Sequence, residues 1–313
     1  MTGDSAQSLL AQAIELHRQG RLEQASKQYR RILREQPRET QALRNLGTIL
    51  LQQGDHRQAA TLLGAAVTAG AQDPVTRYNH ALALQELGDL DAAVAGYDRV
   101  LALDPRLLQA HYNRANALLA AGRHAEAVTG YDAALGVQPG YADAWRNRGD
   151  ALLALQQWAA AGNSFEQALA LEPELAGAHA GLGAALLSQR RYAAAAASLR
   201  TATALAPPDP RALCNLGTAL LELGEHAAAA RCTPGRWNCR PHIRFSKGNS
   251  CSRNCVYRTG LTSTCTARES APGLHRASRS HRLFPCSLSK IPPRPSALRH
   301  GSGRRCGSRP TTA

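Results

Sequence analysis

An asparagine stands at Asn45, Asn79, Asn113 and Asn147, each 34 residues after the last, and Asn215 falls in the same phase two periods on. Ala11 and Gly181 occupy the equivalent places in the other two periods. A carboxamide donates and accepts hydrogen bonds at once, so amides repeated at a fixed interval along one face can hold an extended peptide through its backbone without reading its side chains. Asparagine is a mediocre helix former, so five occurrences at one phase require a reason. Bonds to neighbouring loops or helix ends would supply one equally well. Tyr78, Tyr112, Arg44 and Arg146 each directly precede a ladder asparagine and are expected to share its face. Asn116 and Asp150, one helical turn further on, extend the polar stripe.

Other chemistry-bearing residues form no comparable pattern. His80, His111, His124 and His179 read as structural or surface residues, Trp145 and Trp158 as core, and Cys214 as an inert thiol. No nucleophile, acid and base are placed together, so the chain is expected not to be an enzyme and to need no cofactor or metal.

The elements that carry the ladder follow from three further registers. Ala25, Ala59, Ala93, Ala127, Ala161, Ala195 and Ala229 recur every 34 residues. Leu16, Leu50, Leu84, Leu118, Leu152, Leu186 and Leu220 precede them by nine. Small residues, Ala13, Gly47, Ala81, Ala115, Gly149, Gly183 and Gly217, precede those leucines by three. Each period splits into two apolar stretches at helical spacing, joined at Gly20, Gly54, Gly88, Gly122 and Gly224, where a helix can end on a left-handed residue. Pro37, Pro105, Pro139, Pro173 and Pro207 close the second stretch, because proline cannot continue a helix. One such pair cannot bury its apolar face alone, so the copies must stack.

These residues resemble the tetratricopeptide repeat. Repeat five is the clearest copy, with Trp145, Gly149, Leu152, Ala161, Phe165, Ala168 and Pro173 at the family's places. The resemblance implies an all-α solenoid over residues 6–232, with seven helix-turn-helix repeats starting near 6, 40, 74, 108, 142, 176 and 210, the last one truncated. In the family the face bearing the asparagines lines a concave groove. Gln156 and Arg190 replace the turn glycine in repeats five and six and are expected to loosen those turns. The segments YNRANALLAAGRHAEAVTGYDAAL and YADAWRNRGDALLAL further resemble the repeat arm of bacterial relatives of O-linked N-acetylglucosamine transferases. That arm presents protein substrates to a glycosyltransferase domain, and nothing in this chain resembles the catalytic domain.

The charge of the chain is unevenly placed. Residues 1–230 hold 20 Lys and Arg against 22 Asp and Glu, whereas residues 231–313 hold 17 against 1. Seven of the eight cysteines also lie in this tail. So little apolar surface and so much like charge predict a disordered basic tail over 233–313. The change falls inside the seventh repeat, at Cys232-Thr-Pro-Gly, and the tail's composition is that of GC-rich codons read out of frame. A frameshift near codon 231 is therefore expected. A zinc site on Cys239, His242, Cys251, Cys255 and Cys265 lacks a second close pair at finger spacing. Non-specific nucleic-acid binding through the tail, with Trp237, Phe245 and Tyr257 as stacking groups, is the weaker alternative function.

The amino terminus lacks a basic region followed by an apolar core, and no run of about 18 apolar residues occurs. Together with the cysteine-poor repeats this predicts a cytoplasmic protein with no membrane partner. The leading expectation is a scaffold that binds a protein or peptide in the groove. The alternative is the substrate-recruiting arm of a glycosyltransferase whose catalytic half is missing.

Overall fold

The computed structural model describes residues 3–71, 73–206 and 209–232, together with Trp237–Asn238 and Val256–Tyr257. Fourteen helices form seven consecutive pairs among them. The first helices are α1 (Gly3–Arg18), α3 (Thr40–Gln52), α5 (Pro74–Glu86), α7 (Leu108–Ala120), α9 (Ala142–Ala154), α11 (Ala176–Ser188) and α13 (Pro210–Glu222). Their partners are α2 (Leu22–Glu35), α4 (His56–Thr68), α6 (Leu90–Leu103), α8 (His124–Val137), α10 (Trp158–Leu171), α12 (Tyr192–Leu205) and α14 (His226–Cys232). Beyond α14 the described residues are two antiparallel two-residue strands, β1 (Trp237–Asn238) and β2 (Val256–Tyr257). The expectations of disorder, of a zinc site and of nucleic-acid contacts in the tail fall outside the described residues, these two strands apart.

Local chemistry sets the helix boundaries. Asp55, Asp73 and Asp89 cap α4, α5 and α6 by accepting from Gln58 N at 3.1 Å, Thr76 N at 2.8 Å and Ala92 N at 3.3 Å. Pro74 and Pro210 occupy the first turn of α5 and α13, where a missing N–H costs nothing. Within each pair the turn closes by one recurring bond. Asp55, Asp89, Arg123, Gln157, Arg191 and Glu225 donate their N–H to the carbonyls of Leu50, Leu84, Leu118, Leu152, Leu186 and Leu220 at 2.8–3.0 Å. The residue directly before each donor has positive φ. At Gly54, Gly88, Gly122 and Gly224 this is unstrained, but Gln156 and Arg190 adopt φ of 60° and 61°. The turns of repeats five and six are thus not loosened as the sequence suggests. They keep the geometry of the others and hold a side chain in a left-handed conformation.

The small-residue register is steric. A Cβ on Gly47, Gly149 or Gly183 would come within 2.7, 2.6 and 2.4 Å of Leu63, Phe165 and Leu199 on the second helix of the same pair. Those bulky residues, with Tyr97 and Tyr131, have no exposed surface. Helix and partner approach closely only because one side gives up its side chain.

From α3 onward each first helix also packs against the first helix of the next pair, while no contact of similar extent joins successive second helices. The first helices therefore crowd together, and their common face is the inner one. α14 spans seven residues, against 13 or 14 for the preceding second helices.

Candidate functional site

The inner face was expected to present a row of carboxamides, and the structure corrects this. Asn45, Asn79, Asn113 and Asn147 are buried, none retaining more than 7% exposure. Each carboxamide donates to an oxygen of the preceding repeat. Asn45 Nδ2 donates to the Tyr29 hydroxyl at 3.1 Å and Asn113 Nδ2 to the Tyr78 hydroxyl at 2.6 Å. Asn147 Nδ2 donates to the Tyr112 hydroxyl and to Asn116 Oδ1, both at 2.9 Å. Asn79 has a weaker partner, Thr48 Oγ1 at 3.4 Å, and its own Oδ1 has no bond. Buried polar groups must find partners, and this chain supplies them from within.

The partners follow a rule of position. A ladder asparagine can meet the preceding repeat's residues 16, 31 and 35 places before it. Asn113 meets Tyr97 and Tyr78 in this way, and Asn147 meets Tyr131, Asn116 and Tyr112. Asn79 finds Leu63 where those two find a tyrosine, and it is left with the single bond to Thr48. Asn215 finds Leu199, Ala184 and Ala180, none of which carries a hydroxyl. It is half-buried and has no hydrogen-bonding partner among the described residues.

The flanking residues also join this internal network. Tyr78 is buried, so it offers no open ring face to a guest. Tyr112 is half-buried, with its ring 6.1 Å from Tyr131 and 4.8 Å from Tyr141 between centroids. Tyr131 donates to Asn116 Oδ1 at 2.7 Å, so Asn116 is engaged as well. Burial pushes the Tyr78 hydroxyl up to about 12 and those of Tyr97 and Tyr131 further, while the asparagine bonds act in the opposite direction. These phenols stay neutral and hold their hydrogen bonds at any physiological pH.

Three of the expected site residues present charge on the inner face. Arg44 lies 3.7 Å from Asp73 and bonds Asn45 Oδ1 at 3.4 Å. Arg146 is shared between two carboxylates, Asp150 at 3.2 Å and Asp143 at 3.8 Å. Asp150 keeps 40% of its side-chain surface open to solvent, yet protein surrounds it on its remaining sides. That crowding raises its pKa to about 6, opposed by Arg146 and, from α13, by Arg211.

The histidines read as structural gain a specific account. His111 and His179 share one repeat position with Trp145. The His111 and His179 Nε2 atoms and Trp145 Nε1 each lie 2.9 Å from the carbonyl oxygen of Pro105, Pro173 or Pro139. A carbonyl only accepts, so each ring donates and ties a first helix to the loop before it. Cys214 is buried. Among the described residues no three His, Cys, Asp or Glu converge to hold a metal, and no helix is long and apolar enough to cross a membrane.

Comparison with curated proteins gives no match. Solved structures do match. A tetratricopeptide-repeat protein from Parabacteroides merdae is 20% identical with a TM-score of 0.57, covering 74% of this chain and 91% of its own. YrrB is 21% identical with a TM-score of 0.53, covering 54% and 88%. A MamA from Desulfovibrio magneticus RS-1 is 26% identical with a TM-score of 0.51, covering 53% and 94%. The family model described as tetratricopeptide repeat matches residues 10–74, 78–142, 114–176, 146–210 and 181–231. With these matches spanning most of the chain and the paired helices stacked in register, the protein belongs to the tetratricopeptide-repeat family.

Proposed function

We propose that this chain is a scaffold that binds extended polypeptide segments along the inner face of its first helices. The observation that carries the reading is the arrangement of charge there. Arg44 of α3 with Asp73 at the start of α5, and Arg146 with Asp143 and Asp150 on α9, stand partly open to solvent, whereas the apolar side chains beneath them are buried. A face of this kind offers directional polar contacts without an enclosed cavity, which suits a chain-like ligand better than a small molecule. YrrB is itself described as a tetratricopeptide-repeat protein with an unusual peptide-binding site, which supports looking for a peptide here.

The test is a peptide library displayed against the full chain, followed by amide exchange with the tightest binder. Added protection should appear in the first helices, α5, α7, α9, α11 and α13. Protection confined to the outer surfaces of the second helices would refute the reading.

A further inference from the structure

Four of the five ladder carboxamides are consumed by the protein itself. The exception arises because repeat six lacks the groups that consume them. Where repeats three and four place Tyr78 and Tyr112, repeat six places Ala180, and Leu199 stands where they have Tyr97 and Tyr131. Asn215 therefore keeps its donors and its acceptor, and its side chain is only half-buried. Gly177 is exposed and Ala180 half-exposed, so at these positions α11 offers only small side chains. Arg146 of α9 lies across Gly177, its Cδ 3.2 Å from where a Cβ would stand. Arg211, one helical turn before Asn215, acts electrostatically on Asp150 of α9. α9 and α13 each pack against α11, which lies between them in the array.

The charge of this stretch is also incomplete. One guanidinium, Arg146, serves both Asp143 and Asp150, and Arg211 makes no ion pair with either carboxylate within 4 Å. At the α9 side a carboxylate remains only partly compensated.

We propose that a guest polypeptide is gripped at this place, with the Asn215 carboxamide pairing with its backbone and Asp150 with a lysine or arginine side chain. This rests on the scaffold reading and narrows it to one stretch and one class of ligand, an extended segment bearing a basic residue. In repeats two to five the same backbone-gripping amides are spent on neighbouring repeats, which leaves repeat seven as the position able to use one outward. The carboxyl of Asp150, with its raised pKa, adds a consequence: protonation near pH 6 removes the charge that a basic guest residue would seek.

The experiment uses the full chain and peptides selected from a random displayed library at pH 7.5. Each binder is made with a fluorophore and titrated by fluorescence polarisation against native protein, Asn215→Ala, Asp150→Asn, Ala180→Tyr and Arg44→Ala. Binders should carry a basic residue, and its replacement by methionine should cost at least about five-fold, as expected for one charge-assisted contact. Asn215→Ala and Asp150→Asn should each cost a similar factor, and Asp150→Asn should also abolish the loss of affinity between pH 7.5 and 5.5. Ala180→Tyr supplies the missing phenol, so it should weaken binding more than ten-fold while holding or raising the thermal midpoint. A drop confined to Arg44→Ala would overturn this proposal and leave the inner-face reading standing. Indifference of every variant, or a library that yields no binder, would overturn both.

Discussion

The sharpest stability test compares two asparagines at one repeat position. Asn147→Ala deletes two hydrogen bonds of 2.9 Å from a side chain that is 7% exposed. At roughly 1 kcal/mol net for each bond the loss is about 2 kcal/mol, and alanine's better helix propensity returns about 0.5 kcal/mol. The Tyr112 hydroxyl and Asn116 Oδ1 stay near other partners, so no large penalty for an orphaned group is added. The expected net cost is about 1.5 kcal/mol. Asn215→Ala deletes no internal bond, so only the propensity gain remains, and the variant should be neutral or more stable by up to about 0.5 kcal/mol. Urea unfolding followed by circular dichroism at 222 nm separates the two. With a slope of about 2 kcal/mol per molar, Asn147→Ala should lower the midpoint by roughly 0.7 M, and Asn215→Ala should not lower it. Repeat arrays can unfold in parts, so amide exchange should confirm that the loss is centred on α7 and α9. Equal costs for the two variants would refute the argument that neighbouring hydroxyls decide which carboxamides are structural.

Gly181→Ala should destabilise by about 1–3 kcal/mol through overpacking, because its Cβ would stand 2.3 Å from Phe165 Cζ; thermal melts would show this, and Gly177→Ala should cost less because it meets only the flexible Arg146 chain. Gln156→Gly and Arg190→Gly should each raise stability by about 0.5–1 kcal/mol, since relief of the left-handed strain exceeds glycine's entropic cost; unchanged or lower midpoints would count against strained turns. Asp150 has a folded pKa above its unfolded value, so its contribution to stability is full below about pH 4 and is lost as pH rises through about 6. Asp150→Asn should therefore be more stable than the native chain at pH 7.5, by about 1 kcal/mol after allowance for solvent screening, with the advantage gone at pH 4. Reading the nucleotide sequence after codon 231 in its other two frames should recover a continued second helix, and absence of any helical pattern in both would remove the frameshift explanation.

Most of the architecture was legible because tetratricopeptide packing is written in short-range terms. The alanine, leucine and small-residue registers each reflect a contact within one pair or between adjacent pairs, such as Gly149 against Phe165, so a fixed period exposes them. The turns at Gln156 and Arg190 were misjudged for the same local reason: their residue types favour another conformation, but the helices on either side impose positive φ. The ladder was misjudged at longer range. A period identifies Asn113 and Asn215 as equivalent, yet one bonds the Tyr78 hydroxyl and the other has Ala180 at the matching position. The signal was present as tyrosines 35 residues before Asn113 and Asn147, and 16 residues before Asn45, Asn113 and Asn147.

By itself, then, the sequence determined the helix pairs, their number and their stacking, since backbone propensity and close approach depend on residues a few positions apart. Only the tertiary structure decided which polar groups remain for a partner. Whether a carboxamide is available depends on which hydroxyls the previous repeat brings within about 3 Å of it, and that is a property of the packed array.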